Sequence, residues 1–540
     1  MKLFKRLLLA PAGIGSLAVG VYANPLSITG VSDYAAHSYL SSGEQVTSIT
    51  QFSDVVPTDW AYQALSNLIE RYGCVAGYPN GTYRGNRAMT RFEAAALLNA
   101  CLDRITEVTD ELKRLMKEFE PELAILKGRV DGLEARVGEL EATQFATTTK
   151  LEGLVTFVIG ANRFGGNDQA LAARPNVDNA NREYGATTFN YDALLALNTS
   201  FTGKDNLIAV LRSGNFDGDL NAFGGAFLPV STLETAFQEG ETPNYLVINK
   251  LFYTFPIGSD FVVTAGGLVG QEDMLGFWPS VYPSDPILDV LTLNGAPGAY
   301  NKTLGAGAGL TWSRGGVSVT ANYVAANGNS SNAREGGMAT DGSAGSGTVQ
   351  LGFEQEQWGI AAIYSSIQNT NGKGEANGLI ASGTQFVSDS YEHAGSTSAF
   401  GLSGYWQPEE SGLIPSISLG WGINQTTYDK SVYQDKKIAA DLLVSTSQSW
   451  SVGLNWSDVF LQGNHAGMAV GQPIFATALV DDSVPRDGNY VWEWWYQFMV
   501  SDNISVTPGL FYLSRPLGQE TSEGKSFSQL GALVKTSFSF

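Results

Sequence analysis

The end of the chain constrains the fold most. Ala532, Val534, Thr536, Phe538 and Phe540 alternate with Leu533, Lys535, Ser537 and Ser539. A period of two sends successive side chains to opposite faces, which is the signature of a strand. Trp492, Trp494, Tyr496 and Phe498 alternate in the same way with Glu493, Trp495, Gln497 and Met499. The run Ile504-Ser505-Val506-Thr507-Pro508-Gly509-Leu510-Phe511-Tyr512 follows the turn Ser501-Asp502-Asn503. Apolar-out, polar-in alternation with aromatics near strand ends is the pattern of a transmembrane barrel. From Leu151 onward, eight long stretches rich in Gly, Asn, Ser and Asp break the strands. They lie near 161–186, 215–243, 271–301, 326–346, 368–396, 425–447, 471–489 and 514–527. Short turns such as Ile257-Gly258-Ser259-Asp260 and Arg314-Gly315-Gly316 lie between them. Eight long loops alternating with short turns mean sixteen strands over 151–540, about 24 residues for each strand and connection. A barrel of that size encloses water. A soluble β-sandwich or propeller is the alternative, and it accounts less well for an aromatic terminal strand.

The start of the chain fits export. Lys2, Lys5 and Arg6 precede the apolar stretch Leu7 to Val21, and Val21-Tyr22-Ala23 is a cleavage site. We read residues 1–23 as a secretory signal, with an uncleaved anchor as the alternative. After residue 30 no run approaches the ~20 continuous apolar residues of a membrane helix. Formal net charge is −21, which excludes nucleic acid as a partner. Residues 24–50 are polar and read as a flexible extension. Cys74 and Cys101 are the two cysteines of the chain. In an exported protein they form either a disulfide or two buried thiols.

Residues 51–104 read as a small helical module. Ala61, Leu65, Leu68, Ile69 and Tyr72 mark one face of a helix that Gly73 ends. Gly77-Tyr78-Pro79-Asn80-Gly81-Thr82-Tyr83 is a turn-rich loop, and Thr90 with Glu93 caps the next helix. The start Phe52-Ser53-Asp54-Val55, the pair Trp60-Ala61, this loop and Thr90-Arg91-Phe92-Glu93 occur in the order of an S-layer homology domain, which the segment resembles. The resemblance implies binding to peptidoglycan-linked polysaccharide, with Trp60, Tyr78 and Arg91 as sugar contacts. An aromatic ring stacks on a sugar face, and Arg holds a carboxylate bidentately. Asn80 departs from the Asp common in that family. Core packing is the competing role for Trp60.

Residues 105–145 carry heptads. Ile105, Leu112, Phe119, Leu126, Leu133 and Leu140 form one column seven residues apart. Such a seam needs a partner helix, so we expect a periplasmic coiled coil, a rod of roughly 50 Å at ~1.5 Å per residue. Pro121 interrupts it. The partner is expected to be another copy of the chain. Three strands would gather three wall-binding modules under three barrels and add avidity.

Together the parts predict a mainly β protein: a 16-stranded antiparallel transmembrane β-barrel preceded by a small α-helical S-layer homology domain and a coiled coil. That order resembles the cyanobacterial major outer-membrane porins, and the barrel is similar to the carbohydrate-selective porin family. The resemblance implies a homotrimeric outer-membrane porin, with its N-terminal domain in the periplasm, that passes small hydrophilic solutes or ions and touches outer-membrane lipid and wall polysaccharide. A structural tether between membrane and wall, with limited permeation, is the competing function. Catalysis has little support. His37, His393 and His465 are the three histidines, and no nucleophile, metal-ligand or cofactor motif accompanies them. Residues 151–540 hold 17 Lys and Arg against 36 Asp and Glu, and Leu251 to Asn301 contains neither Lys nor Arg. The third long loop falls in that window. If it folds into the lumen, Glu272, Asp273, Asp285 and Asp289 narrow the pore and favour cations.

Overall fold

The structure is a computed structural model. It describes residues 148–540 apart from 170, 172–173, 240–242, 285, 370–381, 411 and 435–437, and, nearer the N-terminus, residues 49–51, 53–58, 62, 65–66, 69 and 117. The chain divides into two compact units between Phe145 and Ala146. In the N-terminal unit, Leu65 and Ile69 lie one helical turn apart and are buried with Ile49, against Val55 and Tyr62. The heptad column and both cysteines lie outside the described residues.

The C-terminal unit is a closed antiparallel barrel. Its strands are β1 (Thr149–Gly166), β2 (Thr188–Thr199), β3 (Asn206–Gly214), β4 (Val247–Ile257), β5 (Phe261–Gly270), β6 (Leu304–Arg314), β7 (Val317–Ala325) and β8 (Gly345–Glu354). They continue as β9 (Trp358–Asn369), β10 (Gly395–Trp406), β11 (Ser416–Tyr428), β12 (Val444–Ser457), β13 (His465–Leu479), β14 (Tyr490–Ser501), β15 (Ile504–Ser514) and β16 (Phe527–Ser539). β1 pairs with β16 to close the ring, and Gly153 exchanges backbone hydrogen bonds with Phe540 at 2.7 and 3.0 Å. Closure removes every sheet edge, the condition for strands to cross a bilayer.

The alternation holds. On β16, Leu530 and Val534 face outward, whereas Gln529 and Lys535 are buried. On β14, Trp494 is 41% exposed and the next residue inward, Glu493, is 0% exposed.

Eight long loops, L1 to L8, occupy 167–187, 215–246, 271–303, 326–344, 370–394, 429–443, 480–489 and 515–526, all at one end of the barrel. Helices α1 (Val177–Tyr184), α2 (Gln385–Tyr391) and α3 (Lys430–Gln434) lie in L1, L5 and L6. The seventh loop starts later than expected. β13 runs on to Leu479 because β12 pairs with it as far as Val444, although β14 pairs with it only to Gly471.

Candidate functional site

L3 folds into the lumen. Its outgoing arm follows the inner wall from β6 to β15. The Gly276 N–H donates to Thr320 Oγ1 of β7 at 2.9 Å, and the Val281 and Tyr282 N–H groups share Ser418 Oγ of β11 at 2.9 and 3.0 Å. Ile287 reaches Gly509 of β15. The return arm comes back against β12 to β8. Ser449, Ser403 and Ser365 hydroxyls donate to the carbonyls of Gly295, Asn294 and Ala299 at 3.0, 2.7 and 2.8 Å. Wall serines and threonines thus satisfy a loop that would otherwise bury bare peptide groups.

Two further loops press on it. Leu233 of L2 pairs with Leu288 of L3 as an isolated antiparallel bridge. Helix α2 of L5 buries Phe386, Val387 and Tyr391 against Leu275, Ala296, Ala299 and Tyr300 of L3.

Glycines of the wall make the room. A Cβ on Gly420 of β11 would lie 1.8 Å from the Asn294 carbonyl oxygen, and one on Gly453 of β12 would lie 2.6 Å from the Tyr282 ring. Asn294 and Gly295 take consecutive left-handed φ values of 53° and 67°, which Asn and Gly tolerate best.

Charged groups gather where L3 leaves and rejoins the wall. Lys250 of β4 donates to Glu272 at 2.8 Å and pairs with Asp273 at 2.7 Å. Lys302, at the other end of the loop, binds Asp289 at 2.7 Å and Glu234 of L2 at 2.9 Å. Arg212 of β3 grips Asp192 of β2 bidentately at 2.8 and 3.0 Å and lies 4.6 Å from the centre of the Phe237 ring. The groups form one electrostatic set, because Arg212 also acts on Asp289 and Lys302 on Glu272. Three cations, Arg212, Lys250 and Lys302, meet five carboxylates, Asp192, Glu234, Glu272, Asp273 and Asp289, so the set carries two excess negative charges when all are ionised.

Glu272, Asp273 and Asp289 therefore stand in the lumen as paired groups. The window from Leu251 to Asn301 lacks cations, yet Lys250 and Lys302 bracket it and return to its carboxylates. That bracketing was the available signal. Asp289 and Lys302 keep side-chain exposures of 30% and 25%, whereas Asp273 keeps 3%. Asp285 lies outside the described residues, as do Trp60, Tyr78, Arg91, Cys74, Cys101, Ile105, Leu112, Phe119, Leu126, Leu133 and Leu140. Among the described residues no cluster of His, Cys, Asp and Glu could hold a metal ion.

The loop end is tied together by one carboxylate. Asp487 of L7 accepts from Thr384 Oγ1 of L5 at 2.8 Å, from the Gln519 N–H of L8 at 2.8 Å and from the Ala476 N–H at 2.7 Å. Burial pushes its acid up to about 7, against the pull of these donors. A raised carboxylic acid favours the folded loops while protonated. Below pH 4 the folded and unfolded forms are both neutral. Between pH 4 and 7 a penalty on the tied loops grows with pH, and above 7 it is complete, on the order of 4 kcal/mol. We expect amides of 384–391 to exchange faster at pH 8 than at pH 5, after correction for intrinsic rates. Asp487→Asn should abolish that difference.

Residues 107–540 match the carbohydrate-selective porin family, OprB. This chain belongs to the OprB family. Residues 51–95 match the S-layer homology domain, so this OprB-family porin carries a second module before its barrel. Across 94% of the chain it is 35% identical to the uncharacterized protein alr4550 of Nostoc sp., covering 88% of that protein. It is 29% identical to the outer membrane protein SlpA of Deinococcus radiodurans over 226 residues, 36% of this chain and 18% of that one. A high-pH structure of Pseudomonas putida OprB aligns at 13% identity with a TM-score of 0.45, covering 73% of this chain and 94% of that one. The OprB-family porin is an outer-membrane protein and not an enzyme.

Proposed function

We propose that this porin is a passive, mildly cation-favouring diffusion channel for small hydrophilic solutes and inorganic ions. The observation that carries it is the charged set around L3, in which five carboxylates outnumber three cations. Low-dielectric walls focus the field of the excess charge onto the lumen. Neutral sugars, as the family description suggests, are compatible cargo. Planar-bilayer recording of the purified protein under a KCl gradient tests the reading, with sugars of graded size as blockers. A reversal potential on the cation side supports it, and an anion-side potential overturns the preference. A protein silent in bilayers would instead favour the structural tether. That second reading has its own support in the packing of L2, L3 and α2 inside the barrel.

The S-layer homology module supports anchoring to peptidoglycan-linked polysaccharide, with Trp60, Tyr78 and Arg91 as the proposed contacts. The heptads from Ile105 to Leu140 support association with further copies of the chain, and a homotrimer is the proposed assembly. Mass in mild detergent near three chains agrees with that assembly, and a monomer there rules it out.

A further inference from the structure

We propose that Glu493 is the residue that sets how far the lumen narrows, by holding the far end of L3 against β14. The proposal rests on reading L3 as the constriction. L3 leaves the wall after β5 and returns at β6, so its far end has to be held from across the barrel. Two points of the loop, on either side of its far turn, meet one carboxylate. The Tyr282 hydroxyl donates to Glu493 Oε1 at 2.6 Å, and the Leu288 N–H donates to Oε2 at 2.9 Å. The indole N–H of Trp495 donates to the Tyr282 oxygen at 2.8 Å, which orients that hydroxyl toward the acid. Glu493 is 0% exposed, and Lys535 of β16, itself 3% exposed, acts on it electrostatically.

The fit around this point is close. A Cβ on Gly453 would strike the Tyr282 ring, and one on Gly509 would lie 2.3 Å from Ile287. Both arms of the loop are fastened separately to β7 through β12 by Thr320, Ser418, Ser403 and Ser449. Loss of the Glu493 contact therefore leaves Tyr282 and Leu288 with the Ser418 tie, the bridge to Leu233 of L2 and their apolar packing, which loosens the far end of the loop and widens the lumen beside β13 to β15. Asp289 of the charged set adjoins Leu288 but is held by Lys302 at 2.7 Å, and Glu272, Asp273 and Lys302 lie at the ends of the loop, so the set keeps its own ion pairs. Glu493 thus acts as a positioning residue that governs solute size and leaves charge selectivity to Lys250, Lys302 and their partners.

The test compares the full-length wild type with Tyr282→Phe, Glu493→Gln and the double variant. Tyr282→Phe removes one buried hydrogen bond to the Glu493 carboxyl group, so the undocked fraction of the loop end should rise about tenfold (~1.4 kcal/mol). Hydrogen exchange of the 280–290 segment should speed up by a similar factor. The double variant should fall short of the product of the two singles, because both remove one shared contact. In swelling assays with sugars of graded size, Tyr282→Phe should admit larger sugars than wild type while its KCl reversal potential stays unchanged. Exchange and size limit both equal to wild type in Tyr282→Phe and Glu493→Gln would overturn the proposal. If Glu493→Gln fails to form a heat-modifiable barrel, Tyr282→Phe decides alone. A wild type that conducts nothing defeats the channel reading, and exchange at 280–290 then still decides the role of Glu493.

Discussion

Lys302→Met is expected to raise cation preference and lower stability together. Lys302 Nζ holds Asp289 at 2.7 Å, both Glu234 oxygens at 2.9 and 3.1 Å, and Thr292 Oγ1 at 3.1 Å. Its removal leaves two carboxylates facing each other without their cation. Breaking a buried pair costs ~3–5 kcal/mol, and partial exposure of Asp289 and Lys302 reduces this toward ~2 kcal/mol. The charged set gains one negative charge, from two in excess to three when all its groups are ionised. One added charge a few ångströms from a permeating ion is worth ~1 kcal/mol in water, roughly fivefold in favour of the cation and as much against the anion. Reversal potentials in a KCl gradient and thermal unfolding measure the two effects. An unchanged reversal potential would remove this set from the permeation path.

Gly420→Leu is expected to force the return arm of L3 off the wall. Even the first carbon of the new side chain would overlap the Asn294 carbonyl at 1.8 Å and meet Ser403 Oγ at 2.8 Å. Both are partners in one hydrogen bond, Ser403 Oγ to the Asn294 carbonyl, so the substitution crowds the loop and breaks its tie. Overpacking of a filled interior costs ~1–3 kcal/mol. Release of the arm should roughly double single-channel conductance if the loop limits the bore. Gly267→Ala on β5 is the control, since its Cβ would meet nothing within 4 Å. Equal conductance and melting temperature in Gly420→Leu and the control would show that the loop does not depend on this contact.

The barrel was legible because the information for it is local. Pleating makes alternation a property of neighbouring residues, so Trp494 and Glu493 declare opposite faces without reference to any other strand. Loop number followed from composition alone. Strand ends were less legible, as β13 shows. Gly471 to Leu479 reads as loop by composition, but β12 supplies hydrogen bonds that carry the strand further. The candidate site was half legible. The acidic third loop could be found, and Glu272, Asp273 and Asp289 sit on it as lysine-paired groups. Their pairing was hidden, because Lys250 and Lys302 fall just outside the window whose charge was counted.

Residues such as Glu493 and Gly420 mark the limit of the sequence alone. Alternation places both on the inner wall. Nothing local announces that L3 crosses the lumen to reach them, since that path depends on which wall positions leave space and which offer acceptors. The sequence by itself determined an exported, closed barrel of sixteen strands with long loops at one end and an acidic third loop. Only the tertiary structure decided that L2, L3 and α2 pack together inside the barrel, that two lysines pair with the acidic loop, and that one carboxylate on β14 meets its far end. Faces follow from the short-range geometry of the chain, whereas charge pairing and loop position arise between residues far apart in sequence that meet only when the ring closes.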